Sequence, residues 1–427
     1  MSCIRAGLLL WLGPLLVSAR QNPGDVLTGL RERVLQTVDR LPRYVCTETI
    51  DRSEREPNKS FEASCVDLLK GNYRGVKLQL ASSDRLRLDV AFSNNQEMYS
   101  WTGANHFHEK GLFDLVGYGP ISNGGFASFF TAIFRTDKAD LSFDKEVTKE
   151  GRKLYQFQFQ VPLERSHYSL GSALARGLTA YEGSFLVDPA TFDLIQLMVR
   201  THSPPTITGV CEASTILDYR RVHLNNGDFL LPLETRLRIM DESGQESNVR
   251  TVFSGCHEFL SRSTLIFEPS PEDRPQSLKE TTRQKPSVLP SQLPFTVALT
   301  QDINTGTAAA GDPISAKLTT PIRNRKSQTL VRPGAALTGR IIRLERVYRR
   351  EPHLQMFIKL EEIDADGVRI PLYAREYRSE GGRSVVPLRV FGRGNYGIYR
   401  FKGVKPDYVI KRGFKTHWIT MPPESAN

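Results

Sequence analysis

The chain reads as mainly β: an antiparallel sheet accompanied by an N-terminal and a mid-chain helix, followed by a second, smaller β barrel or sandwich. Three observations predict this. Apolar and polar residues alternate strictly in many short runs, as from Leu154 to Val161, where Tyr155, Phe157 and Phe159 fall on one side and Gln156, Gln158 and Gln160 on the other. Turn chemistry separates such runs, notably Asp188-Pro189-Ala190 and Asn225-Asn226-Gly227-Asp228. Between Glu268 and Pro294, prolines recur at 269, 271, 275, 286, 290 and 294 with little to bury, as in an extended linker. A chain of 427 residues is long enough for a core on each side of it.

Taken in order, Arg5, the apolar run Ala6 to Val17 and the small residues of Val17-Ser18-Ala19 form a secretory signal peptide. It is shorter than the ~20 apolar residues needed to span a bilayer, and Gly13-Pro14 interrupts it. The expected division is a signal over residues 1–19, a first domain over 20–267, a linker over 268–294, a basic β domain over 295–422 and a tail over 423–427. The location expected is periplasmic or secreted, with no transmembrane segment in the mature chain. Asp25 is placed to cap a helix in which Val26, Leu30, Val34 and Leu35 share a face before Leu41-Pro42 ends it. Alternating strands follow at Tyr44 to Ile50, Val76 to Leu80 and Leu86 to Val90. From Gly125 to Phe134 the large residues Phe126, Phe129, Phe130, Ile133 and Phe134 follow helical spacing and form one stripe. Such a stripe laid on a sheet is either a core plug or the lining of a cavity for acyl chains. The second domain repeats the β pattern at Phe295 to Leu299, Ile314 to Leu318 and Phe357 to Leu360.

Cys46, Cys65, Cys211 and Cys256 remain after the signal, an even number suited to two disulfides in an oxidising compartment. Of the three pairings, Cys46–Cys65 and Cys211–Cys256 close the shorter loops between neighbouring strand-like segments and are the ones expected. No C-x-x-C spacing favours zinc instead. Charge is uneven. Residues 295–427 hold 23 Lys and Arg against 12 Asp and Glu, a surplus of +11, while residues 1–294 hold 34 against 35. The surplus predicts a surface for an anionic envelope component, with the doublets Arg349-Arg350 and Lys411-Arg412 as candidate polyanion-binding residues. No nucleic-acid-binding motif accompanies it, so nucleic acid is not an expected partner.

The N-terminal helix, the long antiparallel sheet, the mid-chain apolar helix and the stretch Tyr181-Glu182-Gly183-Ser184-Phe185-Leu186-Val187-Asp188-Pro189-Ala190-Thr191-Phe192-Asp193-Leu194-Ile195 resemble the lipoprotein-localisation carrier (LolA-like) superfamily over about Asp25 to Phe267. The resemblance implies an antiparallel half-barrel sheet that holds a lipid or lipoprotein acyl chain, with Phe126, Phe129, Phe130 and Phe134 as the candidate ligand-binding residues. In the second domain, Gly311-Asp312-Pro313 followed by Arg332-Pro333-Gly334 and Gly339 is similar to the β-barrel domain of the type IV secretion and conjugation core-complex scaffold family. Pro333-Gly334 lacks that family's intervening residue, and a cleavable signal stands where the family has an inner-membrane helix.

Catalytic signatures are missing: there is no Gly-x-Ser-x-Gly elbow, Walker loop, His-Glu-x-x-His or dinucleotide fingerprint. An extended His106-Phe107-His108-Glu109 would present two imidazoles on one face but supplies no third metal ligand. Ser166-His167 and Cys256-His257 are isolated pairs, and Glu361-Glu362 reads as solvated charge on a polar turn. The expectation is an exported, non-enzymatic binding or structural module of the cell envelope with no cofactor. The alternatives are a secreted hydrolase whose residues converge only in three dimensions, with His106 and His108 first to suspect, and an envelope assembly scaffold.

Overall fold

The computed structural model describes residues 21–40, 42–71, 75–93, 96–104, 107, 111–121, 129, 131–135, 138–172, 175–225, 227–258, 288–377 and 394–423. The signal segment, Phe126, Phe130, His106, His108, Glu109 and most of the Pro-rich stretch lie outside them.

Helix α1 (Pro23–Arg40) buries Val26, Leu30 and Val34. Its cap is Asn22 rather than Asp25: the Asn22 side chain accepts from the Gly24 amide at 2.9 Å, with Pro23 at the first helical position, where its missing N–H is harmless. Asp25 lies in the first turn, where a negative charge meets the helix dipole.

Next come β1 (Tyr44–Pro57), the short α2 (Cys65–Leu69), β2 (Leu78–Ser93), β3 (Gln96–Trp101), α3 (Leu112–Val116) and a single π-helical turn at Thr131–Arg135. That turn, with Phe129, is the described part of the expected phenylalanine helix. The sheet continues through β4 (Asp140–Lys149), β5 (Arg152–Val161), the small hairpin β6 (Ser169–Gly171) and β7 (Arg176–Leu178), β8 (Ala180–Asp188), β9 (Asp193–His202), β10 (Val210–Leu224), β11 (Gly227–Asp241) and β12 (Glu246–Glu258). The spatial order is β4-β5-β8-β9-β10-β11-β12-β1-β2-β3, antiparallel throughout. In β5 the alternation holds: Tyr155, Phe157 and Phe159 are buried, and Phe157 stacks on Phe185 of β8.

The second unit comprises β13 (Pro294–Leu299), β14 (Ile303–Asn304), β15 (Pro313–Leu318), β16 (Ile322–Arg323), β17 (Thr329–Val331), β18 (Ala336–Val347), β19 (His353–Ala365), β20 (Val368–Pro371), β21 (Ala374–Glu376), β22 (Gly397–Lys402), β23 (Val409–Ile410) and β24 (Lys415–Thr420). Its own core, from Leu293 to Trp418, is separate from the clusters under the first sheet.

The two sheets are joined edge to edge through β2. Residues 82–84 pair with β18, Leu86 bridges to Ala310, and residues 88–93 pair with β3. Gly311 is the close point. Its φ is +105°, and a Cβ there would overlap the carbonyl oxygen of Arg87 and press on the Trp101 ring. The next residue, Asp312, takes the guanidinium of Arg87. The Gly-Asp stretch therefore serves as an internal joint.

The disulfides are Cys46–Cys256 and Cys65–Cys211, which corrects the expected pairing. Strand β12 lies beside β1, and a bulge at Gly255, φ +60°, sets Cys256 against Cys46 with Cα atoms 4.1 Å apart. Helix α2 packs against β10, bringing Cys65 within 5.1 Å of Cys211, Cα to Cα. Short loops were the wrong guide because sheet order, not sequence distance, sets the neighbours. Disulfides of this kind belong to oxidising compartments outside the cytoplasm.

Glu48 is an anomaly on the buried face of β1, between Leu88 and Phe253 of the adjoining strands and only 5 % exposed. Burial first, and then the nearby Glu97, push its carboxyl well above the usual carboxylate range. A raised native pKa gives stability that is fully present below about pH 4.3, the ordinary Glu value, and is lost as pH rises towards the native one. Glu48→Gln is therefore expected to raise stability at neutral pH and flatten its decline between pH 4 and 8, measured by urea unfolding. An unchanged slope would contradict the assignment.

Candidate functional site

A cleft of about 650 Å³ lies where the outer face of the first sheet meets the second unit. Two cross-strand rows make its floor. One runs Arg85, Asp51, Arg250, Arg236, Ile216 across β2, β1, β12, β11 and β10. The other runs Ser83, Ser53, Asn248, Arg238, Ser214 across the same strands, and Ser83 is paired in turn with Arg346 of β18. Residues directly opposite in a sheet share a face, so register alone gathers these side chains. The far wall is apolar: Leu344, Leu354, Ala308 and Pro406. Leu344 and Leu354 belong to the second unit's core, so the cleft opens onto the margin of that core.

The floor is polar and its charges are matched. Arg85 donates to Asp51 at 2.6 Å, Arg236 to Asp218 at 2.6 Å, Arg238 to Glu246 at 2.7 Å and Arg250 to Glu234 at 2.6 Å. The buried Arg52 donates to Asp84 through Nε at 2.8 Å and to the Tyr118 carbonyl at 2.7 Å. Two guanidinium groups pack on the Tyr118 ring, Arg52 at 4.6 Å from its centroid and Arg343 of β18 at 4.4 Å. Each such contact contributes about 0.5–2 kcal/mol. Burial and the nearby carboxylate of Asp84 hold the Tyr118 phenol far above its ordinary range, so it stays protonated. The rim, Thr305 to Thr307, is held by three arginines. Arg346 reaches the Thr305 hydroxyl at 3.4 Å, Arg85 the Gly306 carbonyl at 3.2 Å and Arg87 the Thr307 carbonyl at 3.3 Å.

Those residues singled out from sequence that are described lie elsewhere. Phe129 and Phe134 are packed in the first unit's core, Phe129 edge-on to Tyr168 and Tyr181, Phe134 edge-on to Phe185. Arg349 pairs with Glu56 of β1, a contact between the two units, while Arg350 is exposed with a φ of +60°. Lys411 donates to Asp302 at 3.0 Å and the Arg412 amide to the same carboxylate at 2.7 Å, which together keep Asp302 below the usual carboxylate range. Glu361 is part of β19 and accepts from the buried Arg340 at 3.1 Å, so it is not the solvated turn residue expected. The Ser166 hydroxyl donates to the Thr179 carbonyl at 2.6 Å and His167 contacts Lys138, so neither activates the other. No group of three or more His, Cys, Asp or Glu among the described residues could hold a metal.

Fold and site together define an antiparallel β protein with an arginine-floored cleft between the first sheet and the second unit. No family model and no curated protein matches the chain. Solved structures similar to part of it include a LolA superfamily protein from Nitrosomonas europaea, 10 % identical, TM-score 0.25, covering 57 % of this chain and 97 % of that one. Also similar are a DUF1329 family protein from Desulfovibrio piger, 9 % identical, TM-score 0.29, covering 58 % and 98 %, and an outer membrane lipoprotein-sorting protein domain from Vibrio parahaemolyticus, 9 % identical, TM-score 0.27, covering 55 % and 92 %. Likenesses at this level assign no function.

Proposed function

We propose that the chain is an exported, non-enzymatic binding module of the cell envelope that holds an amphiphile, such as a lipid or the acyl chain of a lipoprotein, in the cleft between its two units. The cleft itself carries this reading. It falls within the ~300–1,000 Å³ typical of ligand sites, lies at the junction of two units, and sets an apolar wall opposite a floor of convergent polar groups. The surplus positive charge of residues 295–427 would favour residence near anionic envelope polymers.

Titrating the full mature chain with a fluorescent 12-carbon amphiphile tests the site. Ala308→Phe, which fills the cleft from the apolar side, is expected to weaken binding by at least tenfold while leaving the near-ultraviolet circular dichroism unchanged. Retention of full affinity in that variant would reject the cleft. Loss of affinity in Phe129→Ala instead would move the ligand to the interior of the first sheet, where the phenylalanine stripe was expected to receive it.

A further inference from the structure

We infer that the cleft selects a monoanionic amphiphile, with its one negative group at Arg346 and its chain along Leu344 and Leu354; this rests on the cleft being the ligand site. The argument is one of charge. Six arginines line the cleft, and five of them each have a carboxylate partner. Arg346 is the sixth. Its guanidinium donates only to neutral oxygens, the Pro406 carbonyl at 2.9 Å, the Val404 carbonyl at 3.4 Å and the Thr305 hydroxyl at 3.4 Å, with no carboxylate among the described residues. A guanidinium has five donors, and a partly buried one whose charge is uncompensated favours an anion above any neutral partner.

Its position adds the chain. Arg346 is directly opposite Leu354 on β19 and two residues from Leu344 on its own strand, so both leucines share its face. On its other edge it is paired with Ser83 of β2, the end of the polar row. Arg346 thus stands where the polar floor meets the apolar wall, the place for the head of a molecule whose tail follows the wall. A head with two phosphates fits poorly. Its second group would have to displace Asp51, Glu234 or Glu246 from the arginines they already hold, or sit beside them as a like charge.

Competition against the bound fluorescent probe, on the full mature chain at low salt, tests this with four ligands. These are a 12-carbon carboxylate, its methyl ester, a short-chain phosphatidylglycerol and an alkyl bisphosphate. Both monoanions are expected to bind at least tenfold more tightly than the ester, and the better of the two identifies whether the natural head is a carboxylate or a phosphodiester. Arg346→Gln should bring the carboxylate to the affinity of the ester, Arg346→Lys should keep most of the preference, and Arg412→Gln, outside the cleft, should keep all of it. Equal affinities for carboxylate and ester, a preference that survives Arg346→Gln, or tighter binding of the bisphosphate would each overturn the inference while leaving the cleft intact. Failure of every ligand, together with indifference of the probe to Ala308→Phe, would overturn the cleft reading as well.

Discussion

Asp84→Ala is expected to destabilise the chain by about 3–5 kcal/mol, because it strands a buried cation. The Arg52 side chain is 4 % exposed and that of Asp84 7 %, so water cannot take over when the carboxylate goes. The groups left bonded to Arg52 are the Tyr118 and Pro120 carbonyls and the Tyr118 ring, which solvate a guanidinium but do not neutralise it, while the Glu54 carboxylate acts on it only through space. Replacing both members, Arg52→Met with Asp84→Leu, should cost far less than Asp84→Ala alone, since no unpaired charge is then buried. The measurement is urea unfolding followed at Trp101 and Trp418, one tryptophan in each unit. Because Arg343 of the second unit also packs on the Tyr118 ring, the loss should register at both tryptophans. A cost below about 1 kcal/mol would mean that the pair is solvated, and would overturn its assignment as a desolvated ion pair.

How far the sequence reveals this molecule depends on how local each feature is. The buried face of α1 and the alternation of β5 are legible because period and face are set within a few residues: Val26, Leu30 and Val34, or Tyr155, Phe157 and Phe159. The cleft is half legible. Thr235-Arg236-Leu237-Arg238-Ile239 shows that β11 turns arginines outward, but such a face reads as ordinary solvated charge. Only the register of β10, β11, β12, β1 and β2 aligns Arg236 with Arg250, Asp51 and Arg85, and register between strands far apart in sequence leaves no local trace. The same limit hides the partner of Arg349, Glu56, which lies 293 residues away. It hides the role of Gly311 too, whose turn chemistry is plain in sequence while the Arg87 carbonyl it accommodates is not.

Removing the Cys46–Cys256 disulfide as a pair, Cys46→Ala with Cys256→Ala, is expected to cost about 3–5 kcal/mol. The bond spans 210 residues, and loop-closure entropy for a loop of that size corresponds to about 5 kcal/mol, with native packing setting how much is realised. The Cys65–Cys211 bond spans 146 residues, and because the entropy grows only with the logarithm of length the two differ little on that ground. Packing separates them. Cys46 is fully buried in the cluster under β1, β2 and β12, and its bond pins the last strand of the first sheet against the first. Cys65 sits at the start of the five-residue α2, over a small cluster with Leu68, Cys211 and Met240. Loss of the first bond should therefore lower the guanidinium midpoint reported by Trp101 more than loss of the second. Peptide mapping without reductant should recover Cys46 joined to Cys256 and Cys65 to Cys211. Recovery of Cys46 joined to Cys65 would be incompatible with β12 lying beside β1, and with it the alignment of Arg250 and Asp51 on the cleft floor would fail.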